Sequence, residues 1–153
     1  MLQRIQTVYL ILATILISVM HLFPIAGILS ETGDIIVFRS FGFYYENSAE
    51  SLMPALPCLL LITIIILLYL IAIFLYKNRI LQSRICWLNI LLLIGSLGLM
   101  AYYIIHVHRL TGATGMTTKI TAIFPLIAIV LTWLAIRGIL KDEVLVRSAD
   151  KIR

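Results

Sequence analysis

Residues 59–76 read LLLITIIILLYLIAIFLY and contain no charged side chain. A helix of about 20 such residues spans the hydrocarbon core of a bilayer. The quoted run belongs to an apolar stretch at residues 54–76, and three further stretches of similar length lie at residues 8–28, 85–105 and 120–139. Lipid offers no partners to backbone N–H and C=O groups, so each stretch is expected to be helical. The chain is 62% hydrophobic and 12% charged, with a mean hydropathy of +1.10. These features predict a polytopic membrane protein.

Four spans in 153 residues leave no room for a separate soluble domain. We therefore expect one membrane domain over residues 1–153, all-α in class, built as a four-transmembrane-helix bundle. The long connection at residues 29–53 carries β-branched and aromatic runs at 35–38 and 41–45, which predict a short extended segment or hairpin outside the membrane. A cap over the bundle is the preferred interpretation of this connection, and a recognition surface for an external partner is the alternative.

The distribution of Lys and Arg predicts the orientation. The N-terminus, the second connection and the C-terminal tail together carry nine basic residues, whereas the first and third connections carry three. Both termini are therefore expected on the cytoplasmic side, and the first span is expected to be retained, since no clean cleavage site follows it. The net charge of +5 is assigned to lipid headgroups and topology, and no nucleic-acid partner is expected.

No pattern of reactive residues indicates catalysis, a cofactor or a metal. Cys58 and Cys86 are expected near opposite ends of neighbouring spans, too far apart for a disulfide, so a thiol oxidoreductase is not expected. His21 is predicted to approach His106 and His108, but their i, i+2 spacing places those two on different sides of a helix. Hydrogen-bonded interfacial histidines are favoured over a metal or proton site.

Polar residues in the spans recur at helical spacing. The candidate polar seam comprises Thr14, Ser18, His21, Asn89 and Ser96. Interhelical hydrogen bonding is the preferred interpretation, and a hydrophilic pathway is the alternative. In the fourth span small and polar residues step by four and three, which predicts close helix packing; they are Thr121, Pro125, Ala128, Thr132 and Ala135. The second span is apolar nearly all round and is expected to contact the most lipid.

The tail at residues 140–153 has the spacing of an amphipathic cytoplasmic helix that continues from the fourth span or bends after Gly138. Such a basic segment either lies on anionic lipid or docks on a cytoplasmic protein. The candidate interaction residues at the two chain ends are Gln3, Arg4, Gln6, Glu143, Val144, Leu145, Arg147, Asp150 and Ile152.

Both ends of the chain, MLQRIQTVYL at residues 1–10 and KDEVLVRSADKIR at residues 141–153, resemble the terminal motifs of the DUF4293 family. The resemblance implies a small four-span protein of the bacterial inner membrane in Bacteroidota, and it carries no catalytic residue. Two function classes follow. The first is a non-enzymatic subunit or scaffold that contacts a membrane or cytoplasmic protein through its cytoplasmic ends, and the second is a small transporter or channel-like protein that uses the polar seam.

Overall fold

Four long helices account for most of the fold in the computed structural model, which describes residues 2–31, 33–46, 51–76 and 78–150. They are α1 (Leu2–Leu22), α2 (Leu56–Phe74), α3 (Arg79–Leu110) and α4 (Phe124–Asp150), and a 3-10 turn at Ile120–Ile123 precedes α4. All four are long and apolar enough to cross a bilayer, and large apolar side chains such as Leu60, Phe74 and Leu91 point outward from them. This is a membrane protein.

The helices pack in a ring in which α1 contacts α2 and α4, and α3 contacts the same two. The predicted seam of small and polar residues is buried, with Thr121 on the 3-10 turn and the other four on α4; they are Pro125, Ala128, Thr132 and Ala135. Small side chains let helix backbones approach closely, and the α1–α4 contact is the most extensive in the bundle. The seam prediction is confirmed.

The all-α prediction is wrong, because the two connections at one end of the bundle form a five-stranded antiparallel sheet. The strands are β1 (Ala26–Leu29), β2 (Ile35–Arg39), β3 (Gly42–Tyr45), β4 (Ser51–Pro54) and β5 (Gly115–Thr118), in the spatial order β4-β3-β2-β1-β5. The predicted hairpin corresponds to β2 and β3. We call this end of the molecule the sheet end and the opposite end, with the chain termini, the termini end.

Two breaks in helical geometry explain why β1 and β5 form. Pro24 has no N–H and disfavours helix in the residue before it, so α1 ends at Leu22 instead of continuing to 28. Gly112 follows the C-terminus of α3 with φ +57°, and the Ala113 N–H bonds the His108 carbonyl at 3.2 Å. This left-handed turn directs the chain back onto β1, where the Thr114 N–H meets the Leu29 carbonyl at 3.0 Å.

One face of the sheet packs into the same apolar cluster as the bundle. Ile28, Ile36, Phe38 and Phe43 are fully buried in it, and the cross-strand pair Phe38–Phe43 stacks with ring centroids 4.4 Å apart. Gly42 allows β3 to approach β4, since a Cβ there would lie 2.6 Å from the Met53 carbonyl oxygen. The sheet is therefore an integral layer of the fold.

Helix α3 is longer than a bilayer requires. Its 32 residues extend about 48 Å, compared with about 30 Å for the hydrocarbon core. At the termini end, α4 continues without interruption from the fourth span to Asp150. The part of the tail that the structure describes is therefore helical, as predicted.

Candidate functional site

The second face of the sheet is open. Along β2 exposure alternates, with Ile36 and Phe38 buried against the bundle and Ile35, Val37 and Arg39 on the other side. The pairing register places Tyr44 of β3 beside Val37, and Gly27 of β1 on the other side of Val37. One face of the sheet thus covers the bundle while the other is left uncovered.

The open face is concave and encloses a groove of about 990 Å³. Its lining is mainly aliphatic and aromatic with three charged side chains; the residues are Pro24, Gly27, Ile28, Leu29, Ile35, Val37, Arg39, Phe41, Tyr44, Tyr45, Glu46, Thr117 and Lys119. Because it combines apolar side chains with a few charged groups, in a volume at the upper end of the range of small-molecule sites, this groove is the candidate binding site.

Gly27 forms the floor of this groove. It pairs with Val37 on one side and Thr117 on the other. A Cβ at this position would meet only the Thr117 carbonyl oxygen, at 4.0 Å, so the absent side chain leaves open space. A larger residue at position 27 would therefore project into the groove without a clash.

The two cations of the groove lie at its membrane edge. Extension of the β1–β2 and β1–β5 registers by one residue places Arg39 and Lys119 on either side of Ile25, whose backbone bonds both neighbouring strands. The Cα atoms of Arg39 and Lys119 are therefore two strand spacings apart, a distance of about 10 Å. Lys119 immediately precedes Ile120, where the fourth candidate span begins.

The side chains of Arg39 and Lys119 form no ion pair within the part of the chain that the structure describes. Glu46 lies at the far end of the groove, since its N–H bonds the Ile35 carbonyl at the opposite end of β2. Ile35 and Arg39 are four residue steps apart on β2, which corresponds to about 13 Å and exceeds the Debye length at physiological ionic strength. The cationic end of the groove is therefore not neutralised by Glu46.

The predicted polar seam does not form a continuous interhelical network. Thr14 and Ser96 donate to carbonyls of their own helices, at Leu10 (2.7 Å) and Leu93 (2.7 Å). Ser18 is half-buried. Asn89 is fully buried, and neither of its side-chain amide atoms has a partner among the described residues.

Histidine 21 joins the bundle to the sheet. Its Nδ1 lies 3.0 Å from the hydroxyl of buried Ser40, and its ring stacks on Phe41. His106 instead stacks on Tyr102. Within the described ranges, no group of three or more His, Cys, Asp or Glu side chains is placed to hold a metal ion.

A polar contact within the bundle was missed from the sequence. The Tyr69 hydroxyl of α2 lies 2.5 Å from the Thr132 hydroxyl of α4, and Thr132 donates to the Ala128 carbonyl at 2.6 Å, so Tyr69 is the donor to Thr132. The buried residues of α2 step by four and three; they are Cys58, Ile62, Ile65, Tyr69 and Ala72. This spacing, with one Tyr and two small residues, was the signal available in an otherwise uniform apolar run.

The candidate interaction residues divide into those that the structure describes and those outside it. The Gln6 side chain is buried and donates to the Asp142 carboxylate at 2.8 Å, whereas Glu143 is half-buried and Val144 is 67% exposed. Gln3, Arg4, Leu145, Arg147 and Asp150 lie on helices with side chains outside the described part, and Ile152 lies wholly outside it. The interaction prediction therefore stays open, with Val144 its most exposed described member.

The chain belongs to the DUF4293 family, because the family model, described as a domain of unknown function, matches residues 2–152. This confirms the resemblance seen at the two chain ends. No curated protein matches the chain.

Proposed function

We propose that this protein is a non-enzymatic membrane subunit that binds its ligand in the groove of the sheet. The observation that carries the proposal is the pair of sheet faces: one is fixed to the bundle through Phe38 and Phe43, and the other is concave, apolar and open. A rigid layer held at a fixed height above the bilayer presents a preformed surface, and preformed surfaces lose less conformational entropy on binding.

The location that fits this role is the bacterial inner membrane, with both termini cytoplasmic and the sheet on the outer side. Support comes from the nine-to-three distribution of basic residues and from the four apolar helices. In this orientation the groove faces the extracytoplasmic space, where it is accessible to outer-leaflet lipids and to proteins outside the cytoplasm.

The chain ends provide a second candidate surface, on the cytoplasmic side. Leu140 and Val144 are exposed on α4, one helical turn apart, next to the buried Asp142. An exposed apolar pair on a helix that continues past the membrane suits a groove on a cytoplasmic partner, as the scaffold hypothesis requires.

The alternative function, a small channel-like transporter, is favoured by one observation, the unpartnered amide of Asn89 inside the bundle. Buried polar groups without partners are uncommon and often functional. However, the hydroxyls of Thr14, Ser96 and Thr132 all donate to carbonyls of their own helices. Groove binding is the better-supported function.

Photocrosslinking in native membranes tests the groove directly. A benzophenone amino acid in place of Tyr44, which lines the groove, should give a defined adduct. Gly27→Leu should abolish that adduct, because the new side chain occupies the floor where a Cβ has no neighbour closer than 4.0 Å. The same probe at Met116, which is exposed on β5 outside the groove, serves as the matched control. Persistence of the Tyr44 adduct in Gly27→Leu would contradict groove binding.

A further inference from the structure

The groove opens at the height where the protein enters the membrane. Its cationic end is formed by Lys119, adjacent to the first residue of a candidate span, and by Arg39 on the same row of the sheet. Exposed apolar side chains form a belt at this end of the molecule, at or next to the ends of α1 and α2, at the start of the fourth candidate span and in the turn between β2 and β3; they are Leu22, Phe23, Leu56, Ile120 and Phe41. Such side chains lie in lipid when a protein spans a bilayer, so the groove borders the headgroup layer.

Charge and chemistry then select the ligand. The guanidinium of Arg39 matches a phosphate with two parallel N–H donors, and the ammonium of Lys119 adds a point charge from two strands away. Neither cation is neutralised by a described residue, and Glu46 lies about 13 Å along the sheet. An anion bound between them thus meets two cations and, among the residues that the structure describes, no neighbouring carboxylate.

The wall of the groove favours a lipid over a soluble phosphate. Phe41 and Pro24 line the same groove as the two cations, and Phe41 is itself exposed, so the groove offers apolar contact to glycerol and the upper part of acyl chains. About 990 Å³ is far more than one phosphate requires, so the groove also has room for the substituent of a headgroup.

From this geometry we infer that Arg39 and Lys119 bind the phosphate of a phospholipid headgroup from the adjoining leaflet. The inference rests on the proposed function and assigns its ligand class. The remainder of the headgroup lies over Gly27 and Val37, beside Tyr44, and the acyl chains descend along the apolar belt into the bilayer.

Lipid titration of the purified full-length protein, followed by native mass spectrometry, tests the inference with phosphatidylglycerol as the probe. Each interfacial cation contributes about 1 kcal/mol to anionic-lipid binding, equivalent to about fivefold in affinity. Arg39→Gln and Lys119→Gln should each weaken the tightest site about fivefold, and the double variant about 25-fold. Arg109→Gln removes an exposed cation at the same end of the molecule, outside the groove, and should change that affinity less than about twofold.

Two further arms separate the possible sources of the phosphate and the possible failures. Glycerol 3-phosphate should displace the lipid only at far higher concentration, and equally effective displacement would overturn the lipid assignment in favour of a soluble phosphate. An equal loss of affinity in Arg109→Gln would also overturn the lipid assignment, since surface charge alone would then explain the binding.

The phosphate inference and the proposed function can fail separately. If the double variant bound phosphatidylglycerol normally while Gly27→Leu still abolished the Tyr44 adduct, the groove would bind a different ligand. The proposed function would then stand and the phosphate inference would fail. Each variant should unfold at the same midpoint as the wild type, so that a change in lipid affinity reflects binding and not loss of the fold.

Discussion

Gln6 and Asp142 connect the two ends of the chain, with the Gln6 amide donating to the Asp142 carboxylate at 2.8 Å across a sequence separation of 136 residues. Both side chains are more than nine-tenths buried. The backbone carbonyl of Asp142 also accepts a bond from the Arg79 guanidinium at 2.8 Å, which brings the start of α3 to the same place. Three helices therefore meet through one residue at the termini end.

Removal of one partner from this contact should destabilise the bundle. Gln6→Leu leaves the Asp142 carboxylate without its amide donor, and a hydrogen bond to a charged group contributes about 1.5 to 3 kcal/mol. We expect the free energy of unfolding, measured by denaturant titration in detergent, to fall by about that amount. Lys141→Gln, an exposed neighbour on α4, is the control and should change it by less than about 0.5 kcal/mol. Equal effects of the two variants would contradict this role for Gln6.

The close approach of α1 and α4 depends on Gly138, where a Cβ would lie 2.7 Å from the Gln6 Cγ. Gly138→Ala should therefore displace the buried Gln6 side chain or push the helices apart, and lower the free energy of unfolding by about 1 to 3 kcal/mol. Gly98 of α3 has no heavy atom within 4 Å of its would-be Cβ, so Gly98→Ala should instead stabilise the protein by about 0.5 to 1 kcal/mol. A loss of stability in both variants would indicate that helix contacts at Gly138 are not the cause.

Local patterns in the sequence were sufficient for part of this fold. Spans were recognisable because an apolar run of about 20 residues has one stable conformation in lipid, and the α4 seam was recognisable because small residues recurred at helical spacing. The hairpin of β2 and β3 was visible from its β-branched and aromatic residues. All of these signals lie within short windows of the chain.

The remaining features depend on contacts between distant segments. Most of strand β1 was predicted to be the end of a span because Ile25, Ala26 and Ile28 are as apolar as a helix interior, and its assignment as a strand needs β2 and β5 as partners. The groove was not predicted for the same reason, since Arg39 and Lys119 lie in different connections of the chain. Only the sheet places them on one row.

The orientation of the protein is open to a direct test with single cysteines, because native Cys58 and Cys86 are buried. Asn78→Cys, in the exposed turn before α3, should react with a membrane-impermeant maleimide only from the cytoplasmic side, and Thr114→Cys, in the exposed turn before β5, only from outside. The charge distribution is the physical reason. Labelling of Asn78→Cys in intact cells would reverse the topology and place the groove in the cytoplasm.

The Tyr69–Thr132 contact should contribute measurably to the bundle. Tyr69→Phe removes the donor hydroxyl but keeps the ring, and Thr132 retains its bond to the Ala128 carbonyl. Hydrogen bonds between membrane helices average about 0.6 kcal/mol and reach about 1.7 kcal/mol, so a loss in this range is expected in the unfolding free energy. Tyr102→Phe, on the exposed side of α3, is the matched control and should have no effect.

Asn89 should behave in the opposite way, because its buried amide has no partner among the described residues. A buried polar group without a hydrogen bond costs about 1 to 3 kcal/mol, so Asn89→Leu, similar in shape, should raise the free energy of unfolding by up to that amount. If Asn89 serves a hydrophilic pathway, Asn89→Leu should also reduce the flux of polar solutes across proteoliposome membranes. If the groove is the functional site, Asn89→Leu should leave the Tyr44 photoadduct and phosphatidylglycerol binding intact. A variant less stable than the wild type would show that the amide makes contacts within the bundle.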